Sequence, residues 1–404
     1  MIRVDEAVPR SNIAEAQPRK EFAAGELFAG SVEKNIDRTE SSYRRQGDMS
    51  NIHWLSPDEV GEWDAFVTQN PLGLVYHTSS WQRVLEKAFE HIRGRFLVLR
   101  DSGGKIQAGL PIYTVKSWLL KDRTVSVPFA TMCDPLISTK EEFDLLWPAI
   151  EEASGKHRNQ RIEIRARRVS ADCMPAHLMA SDRYKHHYLP LDKNPDALFR
   201  SFSQSCVRRR VDKARRAGLV AEERHDDESL RVFHSMLVAT RRRRSLPPMP
   251  FAFFQEIYRC LSPDHVSLYL ALHEGKPVGG LMALKFKDMW TMEYNGDADG
   301  SPAGTNQFLC WEAIQRAKSS GAAFYSFGRT SLDNASLLEY KSRWATVEED
   351  LTDFVRLPGS APVKVYESPK VLRGALYGTA KRLLRYAPPA VQQSFGDFCY
   401  RHLG

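Results

Sequence analysis

Apolar and polar residues form two strand-like pairs, each joined by a turn that contains glycine. The first pair covers residues 96–100 and 106–115, and the second covers residues 267–272 and 277–284. Both turns lead into the pattern Gly-Lys-x-x-small-Gly-Leu, which begins at Gly104 in the first pair and at Gly275 in the second. Short alternating segments around such a turn predict a β-hairpin. The sequence therefore predicts two similar hairpins far apart in the chain.

A second pattern, Trp-x-Ala-Ile-x-x-Ala, also occurs twice, at residues 147–153 and 311–317. Its spacing predicts an amphipathic helix. Each copy is followed by a glycine and a short strand pattern: Gly155 with residues 161–165, and Gly321 with residues 324–327. Any two α/β halves share turn glycines and amphipathic helices, but Trp and Ile recur here at the same helical positions. We therefore predict a duplication and an α+β fold with mixed sheets flanked by helices.

These patterns predict four segments: a disordered tail (1–51), a first domain (52–190), a second domain (191–357) and a C-terminal arm with short helices (358–404). The tail mixes charged and small polar residues without an apolar period. Order is expected to begin near residue 52, because Ser56 can cap a helix that has Pro57 at its first position. Several prolines after residue 357 favour an extended arm.

The composition is typical of a globular protein, since 42% of the 404 residues are hydrophobic and 26% are charged. The formal net charge of +7 favours an anionic partner, such as a nucleotide sugar, coenzyme A, RNA or an anionic membrane surface. The six cysteines include no Cys-x-x-Cys pair, so neither a zinc site nor a disulfide framework is indicated. The sequence has no run of about 18 apolar residues, and we expect a cytoplasmic protein without a bound metal.

The region around the second helix pattern resembles the Fem-like branch of the GNAT acyltransferase superfamily. The similarity is strongest over residues 306–314, at Gly321, and over residues 327–330 and 338–341. Further similar segments lie at residues 76–81, 126–129, 209–214 and 275–280. The resemblance implies two tandem GNAT-like domains, which agrees with the duplication inferred from the repeated patterns.

Fem-like relatives transfer an amino acid from aminoacyl-tRNA to an amine of a peptidoglycan precursor. The resemblance therefore implies an N-acyltransferase, aminoacyl or acyl, that acts on an amine of a cell-envelope, exopolysaccharide or peptidoglycan precursor. Its donor would be acyl-CoA or aminoacyl-tRNA. The arm after Pro358 resembles that of polysaccharide-associated relatives, and the long helical arm of some bridge-forming Fem proteins is not evident, which argues against tRNA. The alternative is a non-catalytic basic module that binds RNA or a membrane surface in a polysaccharide-synthesis system.

Acyl transfer to an amine needs donors aimed at the developing oxyanion and a path for the departing proton, but no covalent nucleophile. The sequence contains no Gly-x-Ser-x-Gly, His-Glu-x-x-His or Walker A pattern. In Fem-like relatives an aromatic–lysine pair lines the transfer site, and Tyr340 with Lys341 resembles that pair. Lys341 would stabilise the oxyanion or protonate the leaving oxygen, and Arg329 would hold a phosphate or carboxylate beside it. The simpler alternative is a lysine that extends from a sheet edge to solvent.

The predicted substrate-binding residues are Arg208, Arg209, Arg210, Lys213, Asp134, Gly304 and Asn306. In coenzyme-A-binding GNAT domains a glycine-rich turn at a helix N-terminus binds pyrophosphate, and Gly304 and Asn306 lie in the equivalent turn here. The arginines and Lys213 belong to a basic helix suited to phosphates. Asp134, in a loop, would contact the acceptor. The simpler alternatives are a helix start that meets only water, a solvated basic face and a turn aspartate.

The segment between residues 370 and 385 alternates leucines with lysines and arginines. A basic amphipathic helix of this kind lies on a membrane surface or docks on its own domain. We therefore expect peripheral contact with the inner face of the membrane through the arm. We also expect a monomer that binds an anionic small-molecule or nucleotide-linked substrate.

Overall fold

The computed structural model of the protein describes residues 51–155, 160–169, 171–357 and 387–402. Residues 1–50 of the predicted tail and the leucine-rich basic segment between residues 370 and 385 lie outside these residues. Residues 387–402 of the predicted arm are described, and they contain a helix of 14 residues.

The first half of the chain, residues 51–190, contains β1 (Ile52–Trp54), α1 (Val60–Gln69), α2 (Ser79–Ala88), β2 (Ile92–Arg100), β3 (Ile106–Val115), β4 (Arg123–Val125), α3 (Lys140–Ala153), β5 (Arg161–Ala166) and β6 (Met179–Pro190). Hairpin β2–β3, helix α3 and strand β5 confirm the first copy of the predicted pattern. Ser56 and Pro57 open a short helical turn that leads into α1, and the backbone N–H of Ser56 donates to Glu59.

The second half, residues 191–357, contains α4 (Pro195–Ser201), a π-helical turn (Gln204–Arg208), α5 (Arg209–Arg216), β7 (Val220–Arg224), α6 (Asp227–Arg243), α7 (Phe251–Leu261), β8 (Val266–His273), β9 (Lys276–Phe286), β10 (Met289–Asp297), α8 (Thr305–Ser319), β11 (Phe324–Ser331), α9 (Ala335–Ser342) and β12 (Val347–Arg356). Helix α10 (Pro389–His402) follows. Hairpin β8–β9, helix α8 and strand β11 confirm the second copy of the pattern.

The twelve strands of the described chain form one sheet in the order β1-β2-β3-β4-β5-β12-β6-β11-β10-β9-β8-β7. In each half the hairpin strands pair antiparallel, and the two strands that flank the long helix pair parallel, β4 with β5 and β10 with β11. The last strand of each half lies against the other half, because β6 pairs with β11 and β12 pairs with β5. The order is therefore symmetric about the central β6–β12 pair. This symmetry supports the predicted duplication, and the domain boundary near residue 190 stays a prediction.

Helices cover both faces of the sheet. On one face the two halves share a single apolar core, in which Trp81 of α2 contacts Phe253 of α7 with ring centroids 6.1 Å apart. On the other face each half has its own core, built around Trp147 of α3 and around Trp311 of α8. The two Trp-x-Ala-Ile patterns are therefore the apolar faces of corresponding helices. Burial of such aromatic side chains is a major source of folding free energy.

Glycines in β9 and β10 allow helices to approach the sheet closely. A Cβ atom at Gly279 would collide with the side chain of Thr305, the first residue of α8. A Cβ atom at Gly296 would collide with the backbone of Leu237 in α6. These close approaches fix the N-terminus of α8 and the C-terminal part of α6 beside the end of β10, where the candidate site lies.

Candidate active site

Strands β10 and β11 pair only over three residues and then separate. The parallel pairing runs from Met289 opposite Phe324 to Thr291 opposite Ser326. Beyond it, β10 contains a bulge at Glu293, where its pairing with β9 shifts register. A bulge redirects side chains and bends the strand. The separation leaves a gap beside Gly328, which has a positive φ of 69°.

Lys341 of α9 fills this gap from one side. Its Nζ atom donates hydrogen bonds to the carbonyl oxygens of Gly328 at 2.9 Å and Arg329 at 3.2 Å. The side chain is buried, and burial lowers the pKa of Lys341 to about 7, with the charge of Glu293 opposing the shift. The simpler alternative from the sequence was a lysine that extends from a sheet edge to solvent. The structure instead buries the Lys341 side chain.

Glu293 lies within electrostatic range of Lys341. Its carboxylate accepts a hydrogen bond of 2.7 Å from the hydroxyl of Tyr76, which comes from the turn before α2 in the first half. Burial raises the pKa of Glu293 to about 7, while the Tyr76 hydroxyl and the charge of Lys341 oppose the shift. An acid and a base that both titrate near neutrality can exchange protons with a substrate at physiological pH.

A cleft of about 930 Å³ opens beside Lys341. Its walls come from the start of α8 (Ser301, Pro302, Ala303, Gly304, Thr305, Asn306, Gln307), from α9 (Asn334, Ser336, Leu337, Tyr340, Lys341), from β10 (Met292, Asn295, Asp297) and from Arg210, Arg244 and Leu246. Five of the predicted site residues, Lys341, Tyr340, Arg210, Gly304 and Asn306, thus line one cleft. Burial raises the pKa of Tyr340, so this residue contributes a neutral hydroxyl and an aromatic wall.

The N-terminus of α8 opens into the cleft without a side-chain cap. Gly304 has a φ of 101°, and a Cβ atom there would collide with the carbonyl oxygen of Arg210. Only glycine suits both conditions. The N–H groups of Asn306 and Gln307 have no acceptor within the part of the chain that the structure describes, as is usual for a first helical turn. Free N–H groups at a helix N-terminus bind anions.

The corresponding helix of the first half, α3, has its N-terminus closed by its own side chains. The Thr139 hydroxyl accepts from the N–H of Glu142, and the Glu142 carboxylate accepts from the N–H groups of Thr139 at 3.3 Å and Ser138 at 2.6 Å. This is a capping box. A backbone hydrogen bond also joins the segment that follows β4 to strand β5, since the N–H of Cys133 donates to the carbonyl of Arg165 at 2.9 Å. Of the two equivalent positions, only that of the second half leaves its helix N-terminus free for a ligand.

Two arginines supply the positive charge of the cleft. Arg210 and Arg244 line it, and neither forms an ion pair with any described residue. The neighbouring arginines at the end of α6 are already bound: Arg241 donates to Tyr400, Arg242 to Asp299 and Arg243 to Asp297. Arg244 is therefore the member of this basic run that remains available to an anionic ligand.

The structure places the Arg329 guanidinium away from the cleft. Nη2 donates to Asp353 at 3.0 Å, Nη1 donates to the Thr131 carbonyl at 3.3 Å, and the guanidinium carbon lies 3.6 Å from the ring centroid of Tyr184. Only the backbone carbonyl of Arg329 contacts Lys341. The side chain thus has protein partners where the sequence predicted a bound phosphate or carboxylate.

Four further predicted residues also lie outside the cleft. Arg208 donates to the carbonyl of Phe202, and Arg209 and Lys213 are exposed on α5. Asp134 is buried, and its Oδ1 accepts from three successive backbone N–H groups, those of residues 167, 168 and 169, at 2.7 to 3.1 Å. Asp134 therefore holds a loop of the first half, and the structure does not bring it to Lys341.

Two residues of the site, Glu293 and Tyr76, were not singled out from the sequence as site residues. Glu293 is a lone acidic residue in the otherwise apolar start of β10, which was a usable signal. Tyr76 lay in a segment that resembles the Fem-like relatives, without an assigned role. Its contact with Glu293 spans more than two hundred residues, so no local pattern predicts it.

The described residues contain no helix long and apolar enough to cross a membrane. They also contain no group of three or more His, Cys, Asp or Glu side chains placed to hold a metal ion.

The chain has an α+β GNAT-like fold. Residues 202–342 match the family model described as acetyltransferase (GNAT) domain. This match covers the Lys341 cleft and the basic helix α5. No curated protein sequence matches the chain significantly.

Solved structures resemble the chain over most of their own length. The crystal structure of FemX matches the chain with a TM-score of 0.59 at 16% identity, and the matched region covers 76% of this chain and 97% of FemX. A conserved protein of unknown function from Bacteroides thetaiotaomicron has a TM-score of 0.52 at 10% identity, covering 75% and 98% of the two chains. L-PGS from Bacillus licheniformis has a TM-score of 0.50 at 14% identity, covering 81% and 96%. At these identities the similarity shows the fold alone, an α+β GNAT-like fold.

Proposed function

We propose that this protein is an N-acyltransferase that moves an aminoacyl or acyl group onto an amine of a cell-envelope, exopolysaccharide or peptidoglycan precursor. The proposal depends on one observation: Lys341, which lines a cleft that contains a free helix N-terminus, interacts electrostatically with the buried Glu293, and both groups have a pKa of about 7. The resemblance to Fem-like acyltransferases supports the same reaction class.

Glu293 and Lys341 have complementary roles in such a reaction. An amine is protonated in water at neutral pH and must lose a proton before it attacks, and Glu293 is the base that receives this proton. The amine nitrogen then bonds to the donor carbonyl carbon, and the developing oxyanion accepts a hydrogen bond from Lys341. The bond from that carbon to the donor sulfur or oxygen breaks as the carbonyl reforms, and the leaving atom takes up the second proton, which the attacking nitrogen gives up as the amide forms. Tyr76 keeps the Glu293 carboxylate in place through its 2.7 Å hydrogen bond.

The donor binds where the cleft offers positive charge. Arg210, Arg244 and the free N–H groups of Asn306 and Gln307 suit a phosphate or diphosphate. Both acyl-CoA and aminoacyl-tRNA contain such groups. The match of residues 202–342 to an acetyltransferase domain supports acyl-CoA, whereas the resemblance to Fem-like relatives supports an aminoacyl donor. An exposed basic face on α5, including Arg209 and Lys213, is available to a longer polyanion such as tRNA.

Turnover assays with the full-length protein test this proposal. The purified protein is incubated with radiolabelled acyl-CoA or aminoacyl-tRNA and with amine-bearing envelope precursors, beside the Glu293→Gln and Lys341→Met variants. Transfer of label to an acceptor amine, lost in both variants, supports the proposal. Absence of transfer from every donor supports the alternative, a non-catalytic basic module that binds RNA or a membrane surface in a polysaccharide-synthesis system.

A further inference from the structure

A patch of exposed apolar side chains lies far in sequence from the candidate site. The loop between β3 and β4 exposes 78% of Trp118 and 47% of Leu119. Helix α10 exposes 45% of Phe398 and 53% of Val391. Phe398 and Val391 are seven residues apart and therefore lie on the same face of α10. The ring centroids of Trp118 and Phe398 are 6.5 Å apart, so the loop and the helix form one surface, which we call the Trp118 patch.

Hydrogen bonds hold the loop of the Trp118 patch in this exposed position. The buried Ser117 hydroxyl contacts Nδ1 of His402 at 3.1 Å and accepts from the N–H of Leu120 at 2.9 Å. The N–H of Ser117 donates to Asp122 at 2.9 Å. The Trp118 ring meets the His402 ring edge to face, with centroids 5.1 Å apart. The exposure of Trp118 is thus a property of a packed loop.

Helix α10 has a second, opposite face that packs on the protein. A Cβ atom at Gly396 would collide with the carbonyl oxygen of Pro248, and the Tyr400 hydroxyl accepts from Arg241 at 2.7 Å. The helix is therefore already docked through Gly396 and Tyr400. Its apolar residues Val391 and Phe398 remain exposed after this docking, so they are available to a partner outside the protein.

Positive charge surrounds the patch. Lys116 and Lys121 flank the tip of the loop, and Arg401 lies beside His402 at the end of α10. All three are exposed, and none forms an ion pair with a described residue. The nearby acids already have partners, since Asp122 accepts from Ser117 and Asp397 accepts from Gln393. An apolar tip with Trp and Phe, flanked by three exposed cations, matches the headgroup region of an anionic bilayer.

We infer that the Trp118 patch binds the surface of an anionic lipid bilayer, with Trp118, Leu119 and Phe398 inserted among the headgroups and Lys116, Lys121 and Arg401 facing the lipid phosphates. A second copy of this chain is a poorer occupant, because the same cations would face each other across a symmetric contact. The inference is independent of the proposed function, since none of these residues lines the Lys341 cleft.

Tryptophan fluorescence of the full-length protein tests the inference directly. The other seven tryptophans are buried or half-buried, so Trp118 is the main solvent-exposed emitter. Vesicles of phosphatidylglycerol and phosphatidylcholine should shift the emission to shorter wavelength, and pure phosphatidylcholine vesicles should not. In vesicle sedimentation, Trp118→Ser with Leu119→Ser should lower the partition coefficient at least about tenfold. Lys116→Gln and Lys121→Gln should each lower it about fivefold at low salt.

The matched control is Leu332→Ser, because Leu332 is a leucine of nearly equal exposure, 46%, outside the patch. Its partition coefficient should equal that of the wild type. Three results would overturn the inference: no binding to anionic vesicles, equal loss of binding in the control, or a dimer in light scattering that Trp118→Ser dissociates. Protection of Trp118 from acrylamide quenching in the free protein would also overturn it, because another part of the chain would then cover the patch.

Discussion

The Nζ atom of Lys341 donates a hydrogen bond to the carbonyl oxygen of Gly328, 2.9 Å away, at the point where β10 has separated from β11. A lysine thus occupies a position where a neighbouring strand would otherwise contribute backbone donors. The position is buried but borders the cleft, so the ammonium is partly desolvated and can turn toward a substrate carbonyl. Its lowered pKa is the consequence of that burial.

Replacing Lys341 by Met should lower turnover at least about a hundredfold, because one oxyanion donor contributes on the order of 3 kcal/mol. Methionine at this position removes the cost of burying a charge, but it leaves the carbonyl groups of Gly328 and Arg329 without their hydrogen-bond donor. We therefore expect the free energy of unfolding to change by no more than about 2 kcal/mol. Urea unfolding and steady-state kinetics measure the two effects, with the exposed Lys276→Met as control. Unchanged turnover in Lys341→Met would remove Lys341 from the mechanism.

Glu293→Gln should lower kcat about a hundredfold or more, because it removes the base while keeping the shape of the side chain. In the wild type, kcat/KM should fall below about pH 7 as Glu293 becomes protonated. This acid limb should be absent from the residual activity of Glu293→Gln. Tyr76→Phe removes the hydrogen bond to the carboxylate, and the acid limb should then move to higher pH. An unchanged pH profile in both variants would show that another group accepts the proton.

Glu293 and Lys341 should together contribute a minimum near pH 7 to the pH dependence of stability, while buried His186, whose pKa burial lowers to about 4, contributes a rise with pH below 6.5. Glu293 has a folded pKa raised from 4.5 to about 7, so its contribution is present below pH 4.5 and is lost as pH rises through 7. Lys341 has a folded pKa lowered from 10.5 to about 7, so the unfolded chain binds more protons between these values and stability rises with pH there. Urea unfolding across pH 4 to 11 measures the profile. The stability difference between wild type and Glu293→Gln should fall as pH rises from 4.5 to 7, and that between wild type and Lys341→Met should rise between pH 7 and 10.5. Differences that do not change with pH would contradict the two assignments.

Gly304→Ala should destabilise the protein more than Gly300→Ala does. Both glycines have a positive φ, 101° and 79° respectively, so either alanine is strained by about 1 kcal/mol. Only at Gly304 does the added Cβ also collide with the backbone of Arg210, and we expect a loss of at least about 2 kcal/mol there. The KM for the donor should rise in Gly304→Ala alone, because relief of the collision with Arg210 would move the N-terminus of α8. Equal effects of the two substitutions in urea unfolding and kinetics would argue against this contact.

Arg210→Gln and Arg244→Gln should each raise the KM for the donor about tenfold, and the effect should shrink at high salt. Arg209→Gln is the matched control, since Arg209 is exposed on α5 next to Arg210 but does not line the cleft. A comparable loss in Arg209→Gln would place the donor along the whole basic face of α5, as expected for a polyanion such as tRNA. Steady-state kinetics at two salt concentrations separates these outcomes.

The local elements were predictable because their signals are local. Alternation around Gly104 and Gly275 predicted both hairpins, and the Trp-x-Ala-Ile spacing predicted α3 and α8. Lys341, Tyr340, Arg210, Gly304 and Asn306 were predicted as site residues, and the structure gathers them around one cleft. Helix and turn preferences act over a few residues, so a single sequence contains them.

The tertiary structure decided which side chains meet. No sequence pattern indicates that β12 pairs beside β5 and β6 beside β11. Nor does any pattern indicate that Tyr76 donates a hydrogen bond to Glu293, or that the guanidinium of Arg329 binds Asp353. Each of these contacts joins residues from different strands or different halves, and it depends on strand order and on the gap between β10 and β11. Sequence patterns therefore determined the elements and the basic character of the chain. The site arose only where long-range pairing desolvated one lysine and one glutamate together, because desolvation depends on all the neighbours in space.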